Sequence, residues 1–479
     1  MRRSCVKLPG LFRSENWTTL VLQASTKEPS IRHAVLALAS AHQEEVKGAS
    51  SLFYKPNDDQ SRLTVYQYGK AITALQPSLS DFQSSSLRIA LITCAFFVYS
   101  DFLLGHYKRG LVHLRHGLNL VPSLGVNASE HDPSSTLVDG WIVTILTRLL
   151  VQAKLLGQQL RTPCQDLLDP GLQSHHDTFR SIHHARRSLE HIFLQVFHLE
   201  EEALQQEALQ QSQMETTVTT SDLFNRQKIA QLQLQKWHQI LLTTIDSLPE
   251  KKNMQSFIER FVYQLLQLYH RLAIIFADTC IEASNERRFD RHETIFLGIV
   301  TKSIEIQNIT HPNGKLNPRG FHDPEPSSPN SISDIGWIPP LYLTAIKCRN
   351  HRLRHQAVKL LASSSHREGI WDSNLAVAVA QRVIEIEEGD FYDHLTGLKF
   401  DKIDFPADTD LATPTLPEQS RLRIVDLILP EDRSGRLRLR CLRKVNSIDY
   451  EWIDQEFDLC TRRWTDTQHH LARGSISSQ

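Results

Sequence analysis

The stretch LRIALITCAFFVYSDFLL (Leu87–Leu104) decides the fold class. On a helix of about 3.6 residues per turn, its apolar side chains cover nearly every side instead of a single stripe, the pattern of a helix surrounded by others. Its most apolar part, Leu87–Tyr99, has 13 residues and is interrupted by Arg88 and Thr93. A bilayer span needs about 20 apolar residues. The segment therefore reads as the central helix of a buried bundle.

Working outward, helical periodicity continues in both directions. In SIRHAVLALASAHQEE (Ser30–Glu45), Ile31, Ala34, Val35, Leu38 and Ala41 fall on one face. Ser30 is placed to cap this helix, and Gly48 to lie past its end. A second helix is expected after Asp58–Ser61, stopping at Pro77. Downstream, Gly105 punctuates the central helix, and YKRGLVHLRHGLNLV (Tyr107–Val121) forms another that ends at Pro122. Further helices are expected over Thr136–Gln159, Phe179–Gln211, Ser221–Ile245, Gln255–Ser284 and Arg291–Gln307, then in IPPLYLTAIKCR, HRLRHQAVKLLASS and SNLAVAVAQRVIEIEE. The glutamines of Phe179–Ile245 alternate with leucines and read as the polar face of an αα-hairpin, with a glutamine-rich activation segment as the alternative. HPNGKLNPRGFHDPEPSSPN (His311–Asn330) reads as an exposed loop.

Near the C-terminus the period changes from helical to alternating. Arg421–Leu429 and Leu437–Arg443 flank a Pro430–Gly435 turn, a β-hairpin signal. The expected fold is all-α: a large array of packed helical hairpins over residues 1–390. An extension over 391–479 carries a small β-hairpin at about 421–443.

Composition excludes several function classes. The 479 residues hold 53 Lys plus Arg against 54 Asp plus Glu, with 41% hydrophobic and 22% charged residues. That balance fits an ordinary globular chain and lacks the basic excess of a nucleic-acid-gripping domain. Cys5, Cys94, Cys164, Cys280, Cys348, Cys441 and Cys460 contain no CxxC pair. They read as reduced thiols in an intracellular protein, several of them buried, and not as a local zinc site. No metal or cofactor, no signal peptide and no membrane span are expected.

The 23 histidines invite a metal reading. His184, His191 and His198 recur every seven residues, which on one helix is a rise of about 10.5 Å, too far to share an ion. They read as a polar stripe. His113 and His116, with His106 nearby, show no carboxylate or cysteine close in sequence and read the same way. No GxSxG, GxxxxGK[ST] or GxGxxG occurs, so no catalytic residue is assigned and enzyme activity is not expected. Glu387 and Glu388 sit at a helix end beside Gly389 and need no special role. The run CRNHRLRHQ (Cys348–Gln356) is basic. In GRLRLRCLRK (Gly435–Lys444), Arg436, Arg438 and Arg440 occupy one face of a strand and leucines the other, as in a half-buried strand with a solvated face.

The order of several segments carries a resemblance. EPSIRHAVLALASAH (Glu28–His42) is followed by QYGKAITAL (Gln67–Leu75), ALITCAFFVYSDFLLGHYKRGLVHLRHGLNLV (Ala90–Val121) and ARRSLEHIF (Ala185–Phe193). WIPPLYLTAIKCRNHRLRHQAVKLL (Trp337–Leu361) and REGIWDSNLAVAVAQRVIEIEE (Arg367–Glu388) complete it. Together they resemble the fungal-specific regulatory region of zinc-cluster (Zn2Cys6) transcription factors. The family's N-terminal Cys-x2-Cys-x6-Cys module, which binds zinc and reads DNA, has no matching positions here, so zinc is expected only with such a module. The resemblance implies a nuclear transcriptional regulator of metabolic or secondary-metabolite genes. Its partners would be the transcription machinery or a related regulator, with DNA reached only indirectly or through the module not seen here, no membrane, and a homodimer as one form. A helical interaction protein that modulates a full-length regulator is the alternative, and an enzyme the remote one. Arg349 and Trp371 are the candidate partner or effector contacts, with a packing role as the competing reading.

Overall fold

The computed structural model describes residues 15–49, 59–79, 84–126, 133–160, 177–211, 220–248, 254–282, 285–310, 336–363, 366–394, 402–406, 414–432, 435–446 and 449–473. The expected loop His311–Asn330 lies outside them. Helices α1 (Glu15–Lys27), α2 (Pro29–Ala49), α3 (Asp59–Leu79), α4 (Ser84–Leu104), α5 (Tyr107–Leu120), the short α6 (Pro122–Val126) and α7 (Pro133–Leu155) come first. The long α8 (Ile182–Gln211), α9 (Thr220–Ser247) and α10 (Met254–Thr279) follow. A 3-10 turn at Glu286–His292 leads to α11 (Glu293–Thr310), α12 (Ile338–Lys347), α13 (His351–Ala362) and α14 (Ser373–Glu388).

Helix α4 is the hub of the N-terminal half, contacting α2, α3, α5 and α7. Leu91, Phe96, Val98 and Phe102 are essentially solvent-free. At 21 residues it is longer than the apolar run alone suggested, and Ser85–Leu104 is long and apolar enough to cross a membrane. Here those residues are mostly buried among the other helices. Arg88 is satisfied by two bonds to Asp139 of α7, at 2.6 and 2.8 Å. Gly105 ends the helix at φ +77, with the His106 amide donating to Asp101 O at 2.8 Å, the left-handed closure that favours glycine.

Glycine also sets how closely α5 approaches. A Cβ on Gly110 would meet Phe102 Cε1 at 2.5 Å, and the Phe102 ring is fully buried with nowhere to turn. Gly110→Ala is therefore expected to destabilise the chain by about 1–3 kcal/mol. The overpacking strain outweighs the gain of roughly 1 kcal/mol in helix propensity. Chemical denaturation checks this, and a variant as stable as the parent would show that α4 and α5 can part without loss.

Three expected boundaries move. α2 begins at Pro29, so Ser30 is inside its first turn, and it runs through Gly48 to Ala49. α3 continues past Pro77 to Leu79, although the proline removes one amide donor from its last turn. The C-terminal hairpin is larger than expected. β3 (Leu422–Ile428), β4 (Arg436–Lys444), β5 (Asp449–Asp458) and β6 (Arg463–Arg473) form an antiparallel sheet in that order. Leu437, Leu439 and Cys441 face inward and join the same buried cluster as the helices. The outward arginines of β4 pair across to β5, Arg438 with Glu456 at 2.7 Å and Arg440 with Asp454 at 3.1 Å, while Arg443, on the other face at the end of the strand, pairs with Glu451 at 2.6 Å. These are register partners, so the arginine face is neutralised by a carboxylate face. Such exposed pairs mainly fix register and contribute little energy.

Candidate functional site

The basic run Cys348–Gln356 turns inward, contrary to its surface-like composition. Pro339 and Pro340 open α12, which breaks at Cys348, where ψ is 132°. Asn350 restarts the chain as α13, its Oδ1 accepting the Leu353 amide at 3.2 Å while its Nδ2 donates to Glu293 at 2.9 Å. This tight corner aims three arginines at the protein interior. Arg349, 3% exposed, reaches Glu387 at 2.9 Å and Glu286 at 3.3 Å, and donates to Ile346 O at 2.7 Å. Arg354, fully buried, meets Glu387 at 2.5 Å and Glu388 at 3.5 Å. Arg352 pairs with Asp404.

Glu387 and Glu388 thus do have special roles, correcting the reading of them as an ordinary helix end. Glu387 holds Arg349 and Arg354 and also accepts the Leu422 amide of β3 at 2.8 Å. One carboxylate at the end of α14 therefore joins the α12–α13 corner to the sheet. Glu286 extends the network by accepting Lys347 at 2.8 and 3.0 Å. Burial opposes its ionisation, but Lys347 and Arg349 outweigh that and hold its carboxyl below the ordinary range.

Beside this network, His351 Nδ1 and His355 Nε2 each lie 3.0 Å from the same Glu388 oxygen. Burial would raise the Glu388 carboxyl, yet the two histidine bonds and Arg354 bring it down to about 2. The expectation of no metal-ligand pattern overlooked the HRLRH spacing in His351–His355, two imidazoles four residues apart on one helix face. The cysteines do not supply such a site among the described residues: Cys94, Cys280, Cys348, Cys441 and Cys460 are free thiols on separate elements. Burial pushes Cys94, Cys280 and Cys348 up to about 12. They do not fit the six-cysteine cluster of zinc-cluster regulators.

The second candidate, Trp371, belongs to a six-residue junction, REGIWD (Arg367–Asp372), built on the β1 (Arg367–Glu368) and β2 (Trp371–Asp372) hairpin. Each polar side chain closes a different helix end. Arg367 donates to Leu103 O at 2.6 Å, at the C-terminus of α4. Glu368, fully buried, accepts the Gly336, Trp337 and Ile338 amides at 2.9–3.1 Å, at the N-terminus of α12. Asp372 caps α14 through the Asn374 and Leu375 amides at 2.9 and 3.3 Å. Gly369, at φ +58, sits where a Cβ would strike Gln152. Trp371 itself is 2% exposed, donates to Gln152 O of α7 at 3.2 Å, and meets the Tyr342 ring edge-on at 5.3 Å. Arg349 and Trp371 lie in different, internal assemblies, and in this arrangement neither presents a surface.

A third polar cluster lies between α3, α4 and α5. Asp101, with no exposed side-chain area, accepts Arg109 at 2.5 and 2.8 Å and Tyr68 at 3.4 Å. His113 Nε2 and His106 Nδ1 stand 3.8 and 4.0 Å from its oxygens. Cys94 donates to His113 O at 3.1 Å. A carboxylate and a cysteine therefore do adjoin these histidines, unlike the sequence reading, because one helical hairpin folds them together. His184, His191 and His198 all lie half-buried along α8, as a polar stripe requires.

Burial pushes Asp101 up to about 6, against the pull of Arg109 and Tyr68. The folded chain then holds a proton that an unfolded aspartate releases near pH 4. Asp101 should accordingly withdraw stability as pH rises from about 4 to about 6 and add no further change above that, on the order of 3 kcal/mol in all. His113, which burial lowers to about 4, acts oppositely, losing stability as pH falls below about 6.5. Comparing wild type with Asp101→Asn separates the two. The stability difference from urea unfolding should shift in favour of the variant between pH 4 and 6, and a difference flat across that range would refute the assignment.

Comparison with known proteins places these assemblies. The chain is 22% identical over 446 residues to the aspercryptin biosynthesis cluster-specific transcription regulator atnN of Emericella nidulans, covering 78% of this chain and 70% of that protein. It is 32% identical over 105 residues to the transcription regulator lscL of Purpureocillium lilacinum, covering 21% of this chain and 25% of that one. No solved structure matches the chain. The fungal specific transcription factor domain matches residues 3–383, a span that takes in the α4 hub, the REGIWD junction and the α12–α13 corner. This predominantly helical chain, matched to one family along most of its length, belongs to the fungal specific transcription factor domain family.

Proposed function

We propose that this transcription regulator controls genes of a secondary-metabolite biosynthesis cluster in the nucleus, acting through protein contacts with the transcription machinery or a related regulator. The carrying observation is the family match over residues 3–383 together with the likeness to a cluster-specific regulator over 78% of the chain. The described surface supports protein contact better than phosphate contact. The arginine runs are consumed by carboxylates, on β4 by β5 and at the α12–α13 corner by Glu286, Glu387 and Asp404. A DNA-reading surface needs free cations for backbone phosphates.

Fusing the 479-residue chain to a heterologous DNA-binding module upstream of a reporter tests the regulatory role, and deleting its gene while measuring transcripts of neighbouring biosynthetic genes tests the target class. The reading expects reporter output to change on tethering and cluster transcripts to change on deletion. Unaltered output and transcripts would overturn it.

A further inference from the structure

The first two turns of α13 and the last residue of α14 bring three potential ligand side chains together at the edge of the ion network. His351 and His355, on consecutive turns of α13, converge on one oxygen of Glu388, each at 3.0 Å. One donor atom from each of the three lies within 4.8 Å of the others. We propose that His351, His355 and Glu388 form a binding site for a divalent transition-metal cation of the zinc class.

A tetrahedral cation with bonds of about 2.1 Å separates its ligand atoms by roughly 3.4 Å, so each histidine needs to part from the Glu388 oxygen by only a few tenths of an ångström. Two imidazoles select zinc, cobalt or nickel over calcium or magnesium. Without a cation, each ring nitrogen facing Glu388 carries the hydrogen that it donates. On binding, that hydrogen moves to the other nitrogen of the ring, leaving a lone pair for the metal and no net change in protons. Arg354 touches the opposite Glu388 oxygen at 3.5 Å, so it orients the carboxylate without occupying the ligating atom. The Tyr392 ring packs on His351 at 4.4 Å between centroids and restricts its rotation. His355 is 35% exposed, the side from which a cation and a completing water would enter. The cation would clamp the start of α13 to the end of α14, beside the carboxylate that ties both to the sheet.

The site stands on this geometry and not on the regulatory reading. Calorimetric titration of the purified 479-residue chain with Zn2+ should show one equivalent bound at micromolar concentration. Co2+ should give a visible ligand-field band without the near-ultraviolet thiolate transition that cysteine ligation produces. His355→Ala and His355→Gln, at a half-exposed helical position that tolerates both, should each weaken binding about tenfold or more. No uptake at micromolar Zn2+, a thiolate band, or affinity unchanged in both variants would overturn the proposal.

Discussion

Glu387→Ala is expected to destabilise the chain by about 3–5 kcal/mol, the range for removing one partner of a buried ion pair. The alanine leaves Arg349 and Arg354 charged, with side chains 1% and 0% exposed, and strips the Leu422 amide of its acceptor. Arg349 keeps Glu286 at 3.3 Å, and Arg354 keeps Glu388 at 3.5 Å. Those longer contacts soften the loss but do not abolish it. Since a domain is stable by only about 5–15 kcal/mol, the variant should unfold at much lower urea. The penalty is that of an orphaned charge and not the net worth of the pair, so Arg354→Met in the Glu387→Ala background should recover part of it. A loss under about 1 kcal/mol for Glu387→Ala alone would mean that water reaches the site and the corner is not sealed.

The second large effect is expected at Glu368, where alanine should cost about 3–5 kcal/mol. Three buried amides at the start of α12 lose their acceptor, each at about 1–3 kcal/mol if none is rescued, and His366, 2.8 Å away, loses its carboxylate. Glu368→Gln keeps one amide oxygen but turns an NH2 group toward donors, so it should fall between wild type and alanine. The tight fit predicts a coupling as well. A Cβ on Gly336 would lie 2.2 Å from Glu368 Oε1, so Gly336→Ala should be severe alone yet much milder in the Glu368→Ala chain, where that oxygen is gone. A double-mutant cycle measures this, and additive effects would disprove the contact.

Much of the helical order is legible from residue spacing, because an amphipathic or all-round apolar pattern is a local property. The Leu87–Leu104 hub, the corner between IPPLYLTAIK and HRLRHQAVKLLA, and the inward leucines of β4 all follow from periods of 3.6 and 2. The fourfold sheet was less visible. β5 offers only Ile453 and Phe457 as apolar inward residues, with Gln455 between them buried against Arg382, which donates to it at 2.8 Å. Its remaining acids look like solvent-facing charge until the arginines of β4 are set opposite. The candidate site was hidden for the same reason. A run such as CRNHRLRHQ advertises exposure by composition, and its carboxylates come from positions 286, 387, 388 and 404.

By itself, the sequence determined the helical class, the central position of α4, the half-buried arginine strand and, through the order of its segments, the family. These rest on hydrophobic burial, which each segment declares through its own pattern. Only the tertiary structure decided which charges are interior. It turned Arg349 and Arg354 onto Glu387, drew His351 and His355 onto Glu388, and spent each polar residue of REGIWD on a different helix end. Electrostatic satisfaction depends on partners tens to hundreds of residues away, and burying a charge is tolerable only once those partners have been brought to it.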